Sequence, residues 1–340
     1  MSKLTFACLA GLLFAGLAGP AAAGPTLDAV TAKGFVRCGV NTGVSGFSAP
    51  DAQGNWRGID VDLCRAIAAA IFGDANKVKF TPTTAQQRFV ALQSGEIDVL
   101  TRNATQTLMR DTALGLNMAG VNFYDGQGFM VRKKLGLRSA RELSGATICV
   151  QPGTTTELNL ADYFRTTGMT FTPVVLEKVE ENISAFVSGR CDVYTTDASQ
   201  LAAIRATAVG TPDDFVILPE RVSKEPLGPM VRHGDDQWFD LVKWTLLAMI
   251  EAEELGIAQT NVDDMLKSTN PAIQRVLGVS PGFGKALGVD EKWAYNIIKQ
   301  IGNYGESFER NLGKGSPVGL ERGLNDLWTR GGLIYAIPMR

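Results

Sequence analysis

One short stretch occurs twice in this chain. Ser94-Gly95-Glu96-Ile97-Asp98-Val99-Leu100-Thr101 returns as Ser188-Gly189-Arg190-Cys191-Asp192-Val193-Tyr194-Thr195, with five identities in eight. Each copy reads as a helix end, a glycine stop and a buried strand. The flanks repeat as well. Before the first copy, residues 36–40 form a strand, and Ile59, Leu63, Ile67 and Ile71 recur at helical spacing until Gly73. Val78 and Phe80 mark a second strand, and Phe89 and Leu92 one face of a second helix. Before the second copy come a strand at 147–150, a helix over about 155–164 and a strand at 172–176. A helix carrying Ile183, Phe186 and Val187 follows. Strand, helix, strand, helix, strand, twice over, predicts an α/β protein whose two related halves each hold a parallel sheet.

Two extended segments, 128–132 and 228–232, are expected to carry the chain from the first half to the second and back. Two crossings permit hinged closure. A helix over about 235–255 then returns to the first lobe. The domains expected are 24–130 with 231–340 as lobe 1 plus a C-terminal extension, and 131–230 as lobe 2. The extension carries helices such as 291–301 and 320–330, with no functional reading.

The first 23 residues read as an address. Lys3 precedes an apolar run from Leu4 to Ala18, and Ala21-Ala22-Ala23 supplies a small-residue cleavage site. The run is shorter than the roughly 20 apolar residues of a membrane span. Cleavage after Ala23 leaves Cys38, Cys64, Cys149 and Cys191. An even count in an exported chain favours disulfides, and spacing alone leaves three connectivities open. No pair has zinc or redox spacing, and one histidine, His233, is too few for a histidine metal cluster. The net charge of −2 gives no reason to expect a nucleic-acid partner. No metal or cofactor is expected.

Ligands of open α/β sheets bind beyond the carboxyl ends of the strands. Asn41 follows the first strand. Arg102, Asn103, Ala104 and Thr105 follow the third, with Arg110 further on. The second half places Gly153-Thr154-Thr155 at a helix start and Asp197 after its third strand. A helix start offers free N–H groups to an anion. Thr154 and Glu157 also fit a capping box, which would leave that segment merely structural. Arg110 suits a carboxylate, or else a surface salt bridge; Asp197 suits an ammonium group, or else a helix cap. Together the set matches a zwitterion.

The chain resembles the polar amino-acid-binding proteins of ABC importers, of the periplasmic binding protein type II fold, over roughly residues 34–256. The likeness rests on Gly54-Asn55-Trp56-Arg57-Gly58-Ile59-Asp60-Val61-Asp62-Leu63 and on Leu92-Gln93-Ser94-Gly95-Glu96-Ile97-Asp98 with Thr105, Thr107 and Arg110. Gln151-Pro152-Gly153-Thr154-Thr155 and Asp192 with Asp197 add to it. The tail and Tyr124-Asp125-Gly126-Gln127-Gly128-Phe129 look like the general L-amino-acid-binding branch. The resemblance implies that Arg110 holds the α-carboxylate, helped by Thr105, Thr154 and Thr155. It implies Asp197, with Asn103, for the α-amino group and a ligand contact at Asn41. Arg88 falls where acidic-ligand binders carry a side-chain arginine, against a solvated-helix alternative. Val44 stands where cationic-ligand binders often stack an aromatic ring. One disulfide per lobe is expected, Cys38–Cys64 and Cys149–Cys191. A monomeric periplasmic protein follows, with free amino acids (broad, leaning polar or acidic) and membrane permease subunits as partners. The competing reading is a periplasmic enzyme on the same fold, a carboxylate-driven eliminase with Asp197 as base.

Overall fold

The computed structural model describes residues 24–340; the expected signal segment, 1–23, lies outside them. The strands in chain order are β1 Val36–Val40, β2 Ala49–Pro50, β3 Trp56–Arg57, β4 Val78–Pro82, β5 Val99–Leu100, β6 Leu116–Met118 and β7 Phe123–Asp125. They continue with β8 Gln127–Arg132, β9 Ala146–Val150, β10 Phe171–Val175, β11 Val193–Asp197, β12 Phe215–Ile217, β13 Glu225–Leu227 and β14 Met230–Arg232. Two five-stranded sheets result, in the orders β4-β1-β5-β14-β6 and β10-β9-β11-β8-β12. Each has a parallel core of three strands beside an antiparallel fourth. The fourth strand of each sheet comes directly after a crossing, so the halves share a blueprint and exchange their entries.

The repeat is physical as well as textual. Gly95 and Gly189 both take positive φ, +75° and +90°, at their helix ends. Asp98 N–H donates to the Arg37 carbonyl at 2.8 Å and the Asp98 carboxylate accepts from Arg37 N–H at 2.8 Å. Asp192 repeats both bonds with Thr147, each at 2.9 Å. In both halves one Asp stitches the strand entry to its neighbour. Disulfides join Cys38 to Cys64 and Cys149 to Cys191, with Cα atoms 6.1 and 5.7 Å apart. They do not follow the repeat: the first ties β1 to the helix Ile59–Phe72, the second ties β9 to Cys191, two residues before β11.

The crossings differ from the expected segments. Residues 128–132 lie inside the second sheet, in β8. The connection is a separate two-stranded ribbon, β7 against β13, with Tyr124 opposite Pro226. Its strands are three residues long and carry no period that a pattern could detect. A Cβ at Gly228 would collide with the Gly120 carbonyl, so glycine lets the two crossing segments touch.

The helix Asp236–Glu254 packs on the first lobe. The tail then covers that lobe. Asp62, on the helix Ile59–Phe72, accepts from Ser307 (2.7 Å), Arg310 (2.6 Å) and Asn311 (2.6 Å) of the helix Tyr304–Asn311. Residues 320–330, expected as a helix, instead form two short 3₁₀ turns, Gly323–Asn325 and Trp328–Arg330. Positive φ at Gly319 and Gly323 breaks the helical path, and the Asn325 side chain bonds the hinge ribbon. Asn325 accepts from Tyr124 N–H at 2.6 Å and donates to the Tyr124 carbonyl at 3.0 Å.

Candidate functional site

The strand ends of the two sheets face one cavity between the lobes. From the first lobe it is lined by Asn41, Arg88, Arg102, Asn103 and Thr105. From the second it is lined by Gln151, the threonines at 154–156, Thr196, Asp197 and Gln200. Every binding residue expected from the sequence lines it except Arg110. Arg110 is buried, but its Nη1 donates to the Thr105 carbonyl at 2.7 Å and its guanidinium lies 4.8 Å from the Phe89 ring centre. It is no surface ion pair; it braces the loop that carries Thr105.

Arg88 is 3% exposed, and its Nε has no partner among the described residues. A buried guanidinium nitrogen without an acceptor is costly unless something supplies one. Its helix, Gln87–Gln93, turns the side chain inward, so the solvated-helix alternative does not describe it. Arg102, equally buried, donates through Nε to the Thr83 carbonyl at 2.8 Å. Burial pushes the Arg102 and Arg110 pKa values down to about 10, and that of Arg88 well below its ordinary range, where Arg102 and Arg110 add repulsion. Three crowded guanidiniums on one lobe favour an anion between them and the opposite wall.

Asp197 ends β11 and precedes the helix Ala198–Thr207, yet its side chain caps nothing. It accepts from Asn103 Nδ2 at 3.3 Å, across the cleft. Burial first, then the charges of Asp125 and Glu225, raise its pKa well above the carboxylate range. Asp125, half-buried, is raised to about 6 by desolvation, against hydrogen bonds from Ser199 and Gly126. Removing water from two neighbouring carboxylates makes an ammonium group a favourable third party. Asn103 takes φ +31°, the sole positive φ at a described non-glycine residue. Its N–H donates to Asp60 at 2.9 Å, and its side chain accepts from Asn41 at 3.0 Å.

Opposite, Thr154 accepts from Glu157 N–H at 3.1 Å and caps the helix Thr155–Thr167. Glu157 returns to Gly153 N–H at 2.9 Å rather than to the cap residue, so only half of a capping box forms. Thr105 and Thr155 both donate their hydroxyls to Glu225, at 2.5 and 2.9 Å.

Sequence reasoning missed Arg102, Asp125 and Glu225 as members of this cluster. Arg102 was within reach of the strand-end rule, being the second residue past β5. Asp125 and Glu225 sit on the three-residue hinge strands and come together only through their pairing.

The model of the bacterial extracellular solute-binding proteins, family 3, matches residues 36–260. The chain is 59% identical over 341 residues to the general L-amino acid-binding periplasmic protein AapJ of Rhizobium johnstonii, covering 100% of this chain and 99% of that protein. It is 53% identical to the glutamate/glutamine/aspartate/asparagine-binding protein BztA of Rhodobacter capsulatus, covering 100% of both. Among solved structures, a periplasmic binding protein from Brucella ovis with glutathione bound superposes with a TM-score of 0.91 at 59% identity, covering 93% of this chain and 99% of that one.

Proposed function

Because the chain belongs to the bacterial extracellular solute-binding proteins of family 3, we propose that it captures free L-amino acids in the periplasm and delivers them to the permease subunits of an ABC importer. The observation that carries this reading is the polarity of the interlobe cavity: buried guanidiniums on one wall, and on the other a buried Asp197 that caps nothing. In this reading Asp197 and Asn103 take the ligand's ammonium group. Arg88 and Arg102 take carboxylates, with the helix start at Thr154–Thr155 supplying N–H groups. Arg110, fixed through Nη1 against the Thr105 carbonyl, has further N–H groups for the α-carboxylate, and Asn41 fixes Asn103. Each charge-assisted bond contributes about 1.5–3 kcal/mol. Three or four, less the cost of ordering, support affinities near micromolar, about −8 kcal/mol. Two arginines on one wall favour glutamate and aspartate alongside glutamine and asparagine, the ligand set named for the Rhodobacter relative.

In this reading the protein binds its ligand and releases it unchanged. His233 faces Asp111 at 3.4 Å and is not among the residues lining the cavity, so no imidazole stands beside Asp197 to share proton transfer. The test is the melting temperature of the mature protein with each common amino acid. Ligands that bind the folded state raise Tm by mass action. A flat response across all of them would remove the reading, and product formed from a bound ligand would replace it with an enzyme.

A further inference from the structure

Residues 261–340 lie beyond the stretch that the family model matches, and amino-acid capture leaves them without a role. They meet the first crossing at three consecutive residues. The Tyr304 hydroxyl donates to the Asn122 carbonyl at 2.9 Å. The Phe308 ring stacks on Phe123, with centres 6.2 Å apart and planes 6° from parallel. The Asn325 side chain takes both the N–H and the carbonyl of Tyr124.

Arg322 gathers these three contacts. Its Nη1 and Nη2 donate to the two Glu253 oxygens at 3.0 and 3.2 Å, a bidentate pair with side chains only 13% and 9% exposed. Its Nε donates to the Asn325 carbonyl at 2.8 Å. Its guanidinium lies 5.2 Å from the Tyr304 ring centre and 5.0 Å from that of Phe308. Glu253 stands in the last turn of the helix Asp236–Glu254, which packs on the first lobe. Asp62 secures the helix Tyr304–Asn311 to the same lobe. Through the extension, residues 122–124 are fixed to the first lobe as well.

The next two residues are attached to the second lobe. Asp125 accepts from Ser199 N–H at 3.3 Å and from the Ser199 hydroxyl, and the Gly126 carbonyl accepts from Ala198 N–H at 2.9 Å. Ala198 and Ser199 open the helix that follows Asp197. On the other strand of the ribbon, Pro226, opposite Tyr124, accepts from Gln106 N–H of the first lobe at 3.0 Å. The change of attachment on the first crossing falls between Tyr124 and Asp125. Hinges are a few residues that absorb the change in φ and ψ; the extension removes residues 122–124 from that set.

We infer that the C-terminal extension is a hinge brace: Tyr304, Arg322 and Asn325 are positioning residues that bind the first crossing to the first lobe, confine rotation to the link between Tyr124 and Asp125, and so limit how far the lobes open and slow ligand release. The effect on release rests on the amino-acid reading. In the closed complex the ligand holds both lobes, so backbone freedom regained at residues 122–124 favours the open state.

Three variants of the mature protein test the brace. Asn325→Ala removes both bonds to Tyr124. Tyr304→Phe removes the bond to Asn122 and keeps the ring. Asn270→Ala removes a helix cap elsewhere in the extension, where the side chain accepts from Ala272 N–H at 2.9 Å. Small-angle X-ray scattering reads the radius of gyration with and without ligand, and stopped-flow fluorescence reads glutamate and glutamine dissociation. Asn325→Ala is expected to enlarge the ligand-free radius, leave the ligand-bound radius unchanged, and speed dissociation of both ligands about threefold to tenfold. Tyr304→Phe is expected to act in the same direction by about threefold, and it decides the matter should Asn325→Ala fail to fold. Asn270→Ala is expected to lower Tm and leave radius and dissociation at wild-type values. Brace variants that lower Tm but keep the wild-type radius and dissociation rates overturn the brace, as does an equal enlargement in Asn270→Ala. Should the wild type bind neither ligand, the amino-acid reading falls, while the ligand-free radii still decide the brace.

Discussion

The two copies of the repeat end in the same threonine and then part. Past Thr101 the first lobe has Arg102 and Asn103; past Thr195 the second has Thr196 and Asp197. Up to that threonine the copies share the glycine stop, the Asp stitch and the strand. Beyond it Asn103 and Asp197, matching positions of the repeat, meet across the cleft at 3.3 Å. Identical scaffolding sets the strand ends face to face, and a change of two residues makes one wall cationic and the other anionic. The polarity that suits a zwitterion is thus a departure from symmetry at the point where symmetry brings the halves together.

Breaking the anionic wall is expected to have the largest effect. Asp197→Asn removes the negative charge facing the ammonium group and turns one acceptor oxygen into a donor, and should weaken every amino-acid ligand by between about ten- and a hundredfold in calorimetry. It also relieves the carboxylate crowding with Asp125, so the ligand-free Tm should rise while affinity falls. A matched fall in both would point to a fold defect instead. Breaking the cationic wall should be selective. Arg88→Ala is expected to cost glutamate and aspartate about tenfold and to change alanine and leucine far less; equal losses across the four would deny Arg88 a part in side-chain recognition.

A smaller effect comes with pH. Asp125 and Asp197 hold protons more tightly folded than unfolded. Their contribution to ligand-free stability is therefore present at low pH. It is lost as pH rises from about 4, the unfolded value, through the value of about 6 reached by Asp125. A ligand ammonium pairs with the carboxylates once they ionise, so the ligand-induced Tm shift should grow over the same interval. Differential scanning fluorimetry across pH 4–7, with and without glutamate, reads both trends. The smallest expected effect belongs to Asn103→Gly. It deletes the amide that spans the two walls but relaxes a φ of +31°, so binding should weaken by only about threefold.

Much of the fold could be read from the chain because its signals are local. Helical spacing from Ile59 to Ile71, the glycine stops and the repeat all act within a few turns. Asp197 emerged because strand ends are local features too, whereas Arg88 came from the resemblance to the family. What stayed hidden depends on distant pairing. Glu225 and Asp125 join the site only through a ribbon of two three-residue strands, too short to carry a period. The 320–330 segment misled for a related reason. Its composition permits a helix, but Asn325 is held by a backbone some 200 positions away, at Tyr124.

That last contact bears on how such a protein survives at high concentration. β7 belongs to a sheet of two strands, so one of its edges has no strand beside it. An open edge invites a strand from another molecule and, with it, aggregation or swapping. Tyr124 lies opposite Pro226, which has no N–H to exchange, and its own N–H and carbonyl turn outward. The Asn325 amide meets both, as a peptide group of a neighbouring strand would. One side chain from the tail seals the edge, and the hinge can flex without presenting a template for self-assembly.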